Sequence, residues 1–305
     1  MVARHAMATR FEIVLHGPNP SALRAAGEEA LDEIDRVEAQ LSLYRPGSEV
    51  ARLNAGAHER PIRVTPGLFR LLEHARELTR ETGGAFDLTI APLVRCGGFI
   101  GGTGSMPVSG AIEEARAKVG MHHVELDAAQ LTVRFMRPGV MLDFGAIGKG
   151  YAVDRAVELL REAGVTSALI HGGTSTAYAL DGLPDGGRWK IAVTSPGRDD
   201  AKPLAVVELE NESLSVSAVW GRSFRAGEKT YGHIIDPRTG VPAASALLSA
   251  VVLPHATETD ALSTALLTAP ELMGELAVRC SALRCLVASG SEAAPMILAH
   301  HLGVL

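Results

Sequence analysis

A chain of 305 residues with 47% hydrophobic content can bury a sizeable core, which excludes unfolded and fibrous readings. A formal net charge of -6 with scattered basic residues argues against a nucleic-acid surface, because phosphate backbones select clustered Lys and Arg. The three cysteines, Cys96, Cys280 and Cys285, lack metal-ligand spacing and offer no disulfide framework, so a reducing compartment is expected.

Residues 1–17 lack an apolar run of signal-peptide length, and no cysteine precedes Cys96 to carry a lipid. No run approaches the roughly 18 apolar residues of a membrane span. A soluble cytoplasmic protein is expected, or an exported one where a leader has been trimmed. Residues 10–16 alternate as a strand does. Asn19-Pro20 then supplies a cap and a first-turn proline for a long amphipathic helix carrying Leu23, Leu31, Ile34, Val37 and Leu41. Residues 42–54, SLYRPGSEVARLN, read as a polar loop with one aromatic, Tyr44. Thr65-Pro66 opens a helix with Leu68, Leu71, Leu72, Ala75 and Leu78 on one face, and Gly83-Gly84 ends it. Phe86 and Asp87 follow at once in AFDLTIAPLV. Residues 95–110 are Gly-rich and read as a flexible loop and candidate lid, after which Ser109 caps a short helix through Val119. Residues 123–127 and 131–135 form an expected hairpin.

Residues 141–154, MLDFGAIGKGYAVD, organise the chain. An apolar run carrying Asp143 breaks into Gly145, Gly148 and Gly150, with Lys149 between the last two, before helical periodicity resumes. This reads as a strand ending at a bare-backbone turn and a helix N-terminus, where exposed N–H groups and about half a positive charge favour an anion such as phosphate. The spacing matches neither the dinucleotide G-x-G-x-x-G nor the P-loop. On local chemistry, a ligand site and a tight turn with a surface lysine stand equally open.

The helix is expected to end near Gly164, with strands at residues 168–171, 189–194, 204–209 and 214–217 and a glycine pair after His171. Residues 231–240, YGHIIDPRTG, read as a strand holding His233, Ile234 and Ile235 that runs into a turn headed by Asp236. His233 is either a core histidine at a corner or a base beside a ligand turn. In residues 255–267, Asp260 and Thr264 stand four apart at the head of a helix, so a carboxylate and a hydroxyl share one face. Two hard oxygens suit Mg²⁺, although an acid in a first helical turn also serves as a dipole partner. The irregular alternation of helices and strands predicts an α+β (mixed α/β) fold around mixed sheets. Residues 1–305 read as a single domain, with two interleaved lobes as the variant.

Seven ordered blocks resemble the FAD:protein FMN transferases, the ApbE-like flavin transferases formerly described as thiamine-biosynthesis lipoproteins. They are Met7-Ala8-Thr9, LSLYRPGSEVARLN, TGGAFDLTIAPLV, LDFGAIGKGYAVD, HGG, YGHIIDPRTG and TDALST. The resemblance implies an enzyme that splits FAD at its pyrophosphate, attaches FMN to a threonine or serine of an acceptor flavoprotein, releases AMP and needs Mg²⁺. It implies Mg²⁺ ligation by Asp260, Thr264 and the carbonyl of Ala146, with His233 as base and Asp236 orienting its turn. FAD contacts are implied at Met7, Tyr44, Ala85, Phe86, Asp87, Asp143, Lys149 and Ile234, with Tyr44 and Phe86 as stacking rings.

The chain departs from that pattern at Ala8, where relatives often carry Gly, and at Thr174, where they usually carry an acid. Val216-Ser217-Ala218 replaces a usual Thr-Ser-Gly, and Gly97 to Gly104 replaces a more regular segment. Two alternatives follow: an FAD-binding protein without transfer, and an FAD pyrophosphatase that releases FMN and AMP.

Overall fold

The first hairpin pairs β1 (Val2–Ala6) with β2 (Thr9–Leu15) across the two-residue turn Met7-Ala8. The structure is a computed structural model describing residues 1–108, 110–194, 203–220, 223–226, 229–291 and 294–304. The next element is α1 (Pro20–Leu41), where the Asn19 side chain accepts from the Ala22 N–H at 3.1 Å, as the Asn-Pro signal predicts. Inside the expected polar loop lies α2 (Glu49–Gly56). Ser48 caps it by accepting from the Ala51 N–H, and Val50 and Leu53 bury its inner face. Two buried apolar residues are too few to register as periodicity, so only the cap signals this helix.

The short β3 (Ile62–Arg63) precedes α3 (Pro66–Glu81), which buries Leu68, Phe69, Leu71, Leu72, Ala75 and Leu78 as its spacing predicts. A 3₁₀ turn at Leu88–Ile90 leads into α4 (Ala91–Cys96), followed by α5 (Ala111–Arg116). The expected cap Ser109 lies outside the described residues. The Gly-rich stretch after α4 is tied to itself: Ser105 N–H donates to the Gly97 carbonyl, Gly104 N–H to that of Gly98, and Phe99 is buried. The expected hairpin forms from β4 (Val124–Asp127) and β5 (Thr132–Phe135).

The run entering the glycine turn was expected as a strand and is not one. Leu142 N–H donates to the Asn54 side-chain oxygen at 2.7 Å, and the Asn54 amide donates to the Leu142 carbonyl at 2.9 Å. One side chain thereby satisfies the backbone pair that a neighbouring strand would have taken. The helix that follows, α6 (Gly148–Glu162), ends before Gly164 at φ +75°.

The remaining elements are β6 (Ala168–Gly172), β7 (Thr176–Leu180), β8 (Trp189–Val193), β9 (Ala205–Leu209), β10 (Glu212–Ala218), β11 (Ser223–Ala226) and β12 (Lys229–Gly232). Then come β13 (Leu248–Leu253), α7 (Ala256–Thr268), α8 (Met273–Arg279), β14 (Arg284–Ser291) and β15 (Ala294–His300). β12 stops before His233, so the expected strand does not carry that residue. Ile235 makes only an isolated bridge to Pro242.

The chain divides into two compact units built from interleaved stretches. Residues 1–39, 147–218 and 246–305 form the first, and residues 40–146 and 219–245 the second. The first holds an eight-stranded sheet in the order β1-β2-β6-β7-β10-β13-β14-β15, together with the β8-β9 pair. The second holds the β3-β5-β4 sheet, the β11-β12 pair and helices α2 to α5. The α+β class is as expected. Every strand pairing among the described residues is antiparallel, so the sheets are antiparallel rather than mixed. Among the described residues no helix is long and apolar enough to cross a membrane.

In the first unit α7 packs against α6 and lies on β10 and β13. Gly150 sits at the α6–α7 crossing, where an added Cβ would fall 2.0 Å from the Ala256 carbonyl oxygen. Asp154, one helical turn further on, accepts from the N–H groups of Ala256 and Thr257, both at 2.8 Å, and from the Thr257 hydroxyl. One helix therefore caps the start of the other, where His255 provides no side-chain cap.

Gly150→Ala should lower stability by about 2–3 kcal/mol, since backbone overpacking outweighs the roughly 1 kcal/mol that Ala gains over Gly in a helix. A urea midpoint at or above wild type would contradict that packing. Met7 and Ala8 have φ of 50° and 58°, both positive as a two-residue hairpin turn of the I′ kind requires. Ala8→Gly should raise stability by about 0.5–1 kcal/mol, because relief of the left-handed strain is partly offset by unfolded-state entropy. The same denaturation series reads this out.

Candidate functional site

The glycine turn and the TDALST block meet in the first unit. Gly150 N–H, in the opening turn of α6, donates to Asp260 Oδ2 at 3.0 Å, and Lys149 Nζ lies 3.8 Å from Asp260 Oδ1. Asp260 is only 4% exposed, and α7 places it one turn inside its N-terminus. A buried carboxylate is tolerated here because a backbone donor and a cation face its two oxygens. Thr264 follows one turn later, its hydroxyl oxygen 3.2 Å from the Asp260 carbonyl and 3.2 Å from Ser217 Oγ. The expected sharing of one helix face by Asp260 and Thr264 is thus observed. Lys149, read from the sequence as a phosphate partner, is a neighbour of Asp260 as well.

The donor set bears on which cation fits. Among the described residues no group of three or more His, Cys, Asp or Glu side chains gathers in metal-binding geometry. Asp260 and Thr264 offer one carboxylate and one hydroxyl, both hard oxygens. Such a sparse set fits Mg²⁺, which keeps several waters and takes ligand phosphate oxygens, better than Zn²⁺, which wants four protein ligands in structural sites or three in catalytic ones. Ala146, whose carbonyl was expected as a further donor, is the last residue of its stretch in the second unit, just before Ile147.

In the second unit, the GGAFD and DPRTG blocks line one cavity of about 550 Å³. Gly84, Asp87, Pro237 and Arg238 contribute from those blocks, and Arg76 and Arg80 from α3. Asp87 is held by protein donors: Oδ1 accepts from the Thr89 N–H and hydroxyl, and Oδ2 from the Met121 N–H. Burial pushes its carboxyl above the usual range, against the lowering effect of those bonds. Its side chain therefore locks the start of the 3₁₀ turn. Asp143 makes a similar local bond, accepting from the Gly145 N–H at 2.8 Å.

Asp236 heads a closed turn. Its carbonyl accepts from the Gly240 N–H at 2.8 Å, and its carboxylate accepts from the N–H, Nε and Nη2 groups of Arg238. His233 is half-buried in the bend before this turn, its ring centroid 6.4 Å from that of Phe99 in an edge-on arrangement. Ile234, expected as an FAD contact, lies between His233 and the Ile235 bridge, and its carbonyl accepts from the Ala243 N–H. Ala85 and Phe86 are buried, Phe86 at 2%, which leaves Tyr44, 60% exposed, as the ring with open surface. Met7 lies on the first-unit hairpin turn.

Sequence reasoning missed the residues that hold α7. Asp154 caps it, and alternate residues of β10 (Ser213, Ser215 and Ser217) direct hydroxyls at Thr259, Ser263 and Thr264. A period of two in serines within an apolar strand, against hydroxyls four apart on a helix, was the available signal.

The ApbE family model matches residues 7–286. The chain is 32% identical over 273 residues to the FAD:protein FMN transferase of Treponema pallidum, covering 84% of this chain and 75% of that one. It superposes on the ApbE protein of Thermotoga maritima with a TM-score of 0.87 at 26% identity, over 98% and 96% of the two chains. The flavinyl transferase ApbE of Pseudomonas stutzeri gives 0.84 at 27% identity, over 98% and 94%. With a match spanning all seven blocks described above and a shared fold, this chain belongs to the ApbE family.

Proposed function

We propose that the chain transfers FMN from FAD to a serine or threonine hydroxyl of an acceptor flavoprotein, with Mg²⁺ bound at Asp260 and AMP as the other product. Family membership and the names of the relatives support a flavin transferase. The observation that carries the finer reading is the buried Asp260 carboxylate, held by the Gly150 N–H beside Lys149 at the start of α6. In this reading both units serve as one flavin transferase domain.

In the reaction the acceptor oxygen attacks the FMN phosphorus, the bond from that phosphorus to the bridging oxygen breaks, and AMP departs with that oxygen. Such transfers demand alignment and charge neutralisation more than covalent participation by the enzyme. Asp260 and Thr264, with the Ala146 carbonyl, would hold Mg²⁺, which supplies neutralisation of the charge developing on the phosphate oxygens. Lys149 offers its ammonium to a phosphate, and the α6 N-terminus adds its partial positive charge. His233 takes the proton from the attacking hydroxyl, and the Asp236 turn orients the backbone beside it. Tyr44 stacks on a planar ring of FAD, while Met7, Ala85, Phe86, Asp87, Asp143 and Ile234 shape the remaining contacts.

Incubation with FAD, Mg²⁺ and a candidate acceptor should yield one equivalent of AMP for each FMN adduct seen by intact mass. AMP without an adduct would identify a pyrophosphatase, and FAD binding without AMP a carrier. Asp260→Asn should reduce metal-dependent AMP release by at least about 10²-fold, since a bound cation contributes several kcal/mol to such transition states. Undiminished turnover in that variant would remove Asp260 from the reaction.

A further inference from the structure

Ser217 lies near the end of β10, on the face that α7 covers. Its Oγ is 2.8 Å from Ser263 Oγ and 3.2 Å from Thr264 Oγ1. Both helix hydroxyls in turn approach the Asp260 carbonyl, Ser263 at 3.0 Å and Thr264 at 3.2 Å. In an α-helix that carbonyl already accepts the N–H four residues on, so a single lone pair remains for two hydroxyls.

The shorter contact assigns that lone pair to Ser263. With its proton committed there, Ser263 Oγ acts toward Ser217 as an acceptor, and the Ser217 proton goes to it. Ser217 Oγ is then an acceptor for Thr264. The order of donation runs from Thr264 to Ser217, to Ser263, to the Asp260 carbonyl. In that order Thr264 Oγ1 gives its proton and receives none, so its lone pairs remain for an acceptor role.

We propose that Ser217 is a positioning residue: by taking the Thr264 proton, it makes the Thr264 oxygen an acceptor-only ligand for a hard cation held at Asp260. This rests on the metal reading given above. Further along the same strand, the buried hydroxyls of Ser213 and Ser215 meet Thr259 at 3.0 and 2.9 Å. They hold the rotation of α7 about its axis, and Ser217 sets the orientation of one hydroxyl on it.

The test measures Mn²⁺ affinity by electron paramagnetic resonance in the presence of ADP, which carries a diphosphate but no FMN to transfer. Ser217→Ala should weaken Mn²⁺ binding by about 10-fold, the range of second-layer ligand effects on metals. Its thermal midpoint should stay within about 2 °C of wild type. Ser217→Thr should restore the affinity, and saturating Mg²⁺ should return FAD turnover in Ser217→Ala to near the wild-type kcat. Wild-type Mn²⁺ affinity in Ser217→Ala, alongside weakened binding in Thr264→Ala, would overturn the positioning role and leave the metal reading standing. Equal losses of affinity and thermal stability that Ser217→Thr does not restore would show a packing role and overturn it as well. Wild-type affinity in both Thr264→Ala and Asp260→Asn would remove the metal reading and this proposal together.

Discussion

The close crossing of α6 and α7 at Gly150 is the constraint on which the first-unit site depends. A side chain there would collide with the Ala256 carbonyl at 2.0 Å and with Asp260 Cβ at 2.9 Å. Because Gly150 has none, its N–H reaches the Asp260 carboxylate directly. The same approach lets Asp154 cap the first turn of α7. A glycine that reads as freedom for a ligand thus serves first as clearance for a neighbouring helix, which brings a carboxylate to a helix N-terminus.

Around this crossing the unit is stiffened by hydroxyls rather than by large side chains. Ser213, Ser215, Ser249, Thr259 and Ser263 are fully buried and bonded, and Ser249 donates to the Ser263 carbonyl. Each buried hydroxyl must find a partner or incur a desolvation cost of about 1–3 kcal/mol, so the set tolerates few alternative rotations of α7. Apolar packing alone would allow more slippage. Directional bonding fixes which face α7 turns toward β10.

The second unit buries Phe69, Phe86, Phe99 and Phe135, and its functional blocks are shaped by their turns. Backbone turns closed by acids do the shaping: Asp87 locks the 3₁₀ turn and Asp236 closes the DPRTG corner. These turns bring two widely separated blocks to one cavity. The arginines in that lining are partly committed, Arg238 to Asp236 and Arg80 to Glu77, which moderates the positive charge they present.

Much of the chain was legible from periodicity and caps. The helices α1, α3, α6 and α7 and the β4-β5 hairpin stand where spacing and Gly, Pro or Asn signals put them. Short or fully buried elements were not: α2 has two inward residues, and all five residues of β7 are buried, so no alternation marks it. The sequence by itself determined the family, through ordered blocks whose residue types are demanded locally. It also determined the pairing of Asp260 with Thr264, because a separation of four on a helix is a local property. Only the tertiary structure decided that Asp143 and Leu142 need no strand, that Phe86 belongs to the core, and that Gly150 and Asp154 serve α7. Those facts concern partners about 90 to 110 residues away or the packing of a whole unit, and no local pattern encodes them.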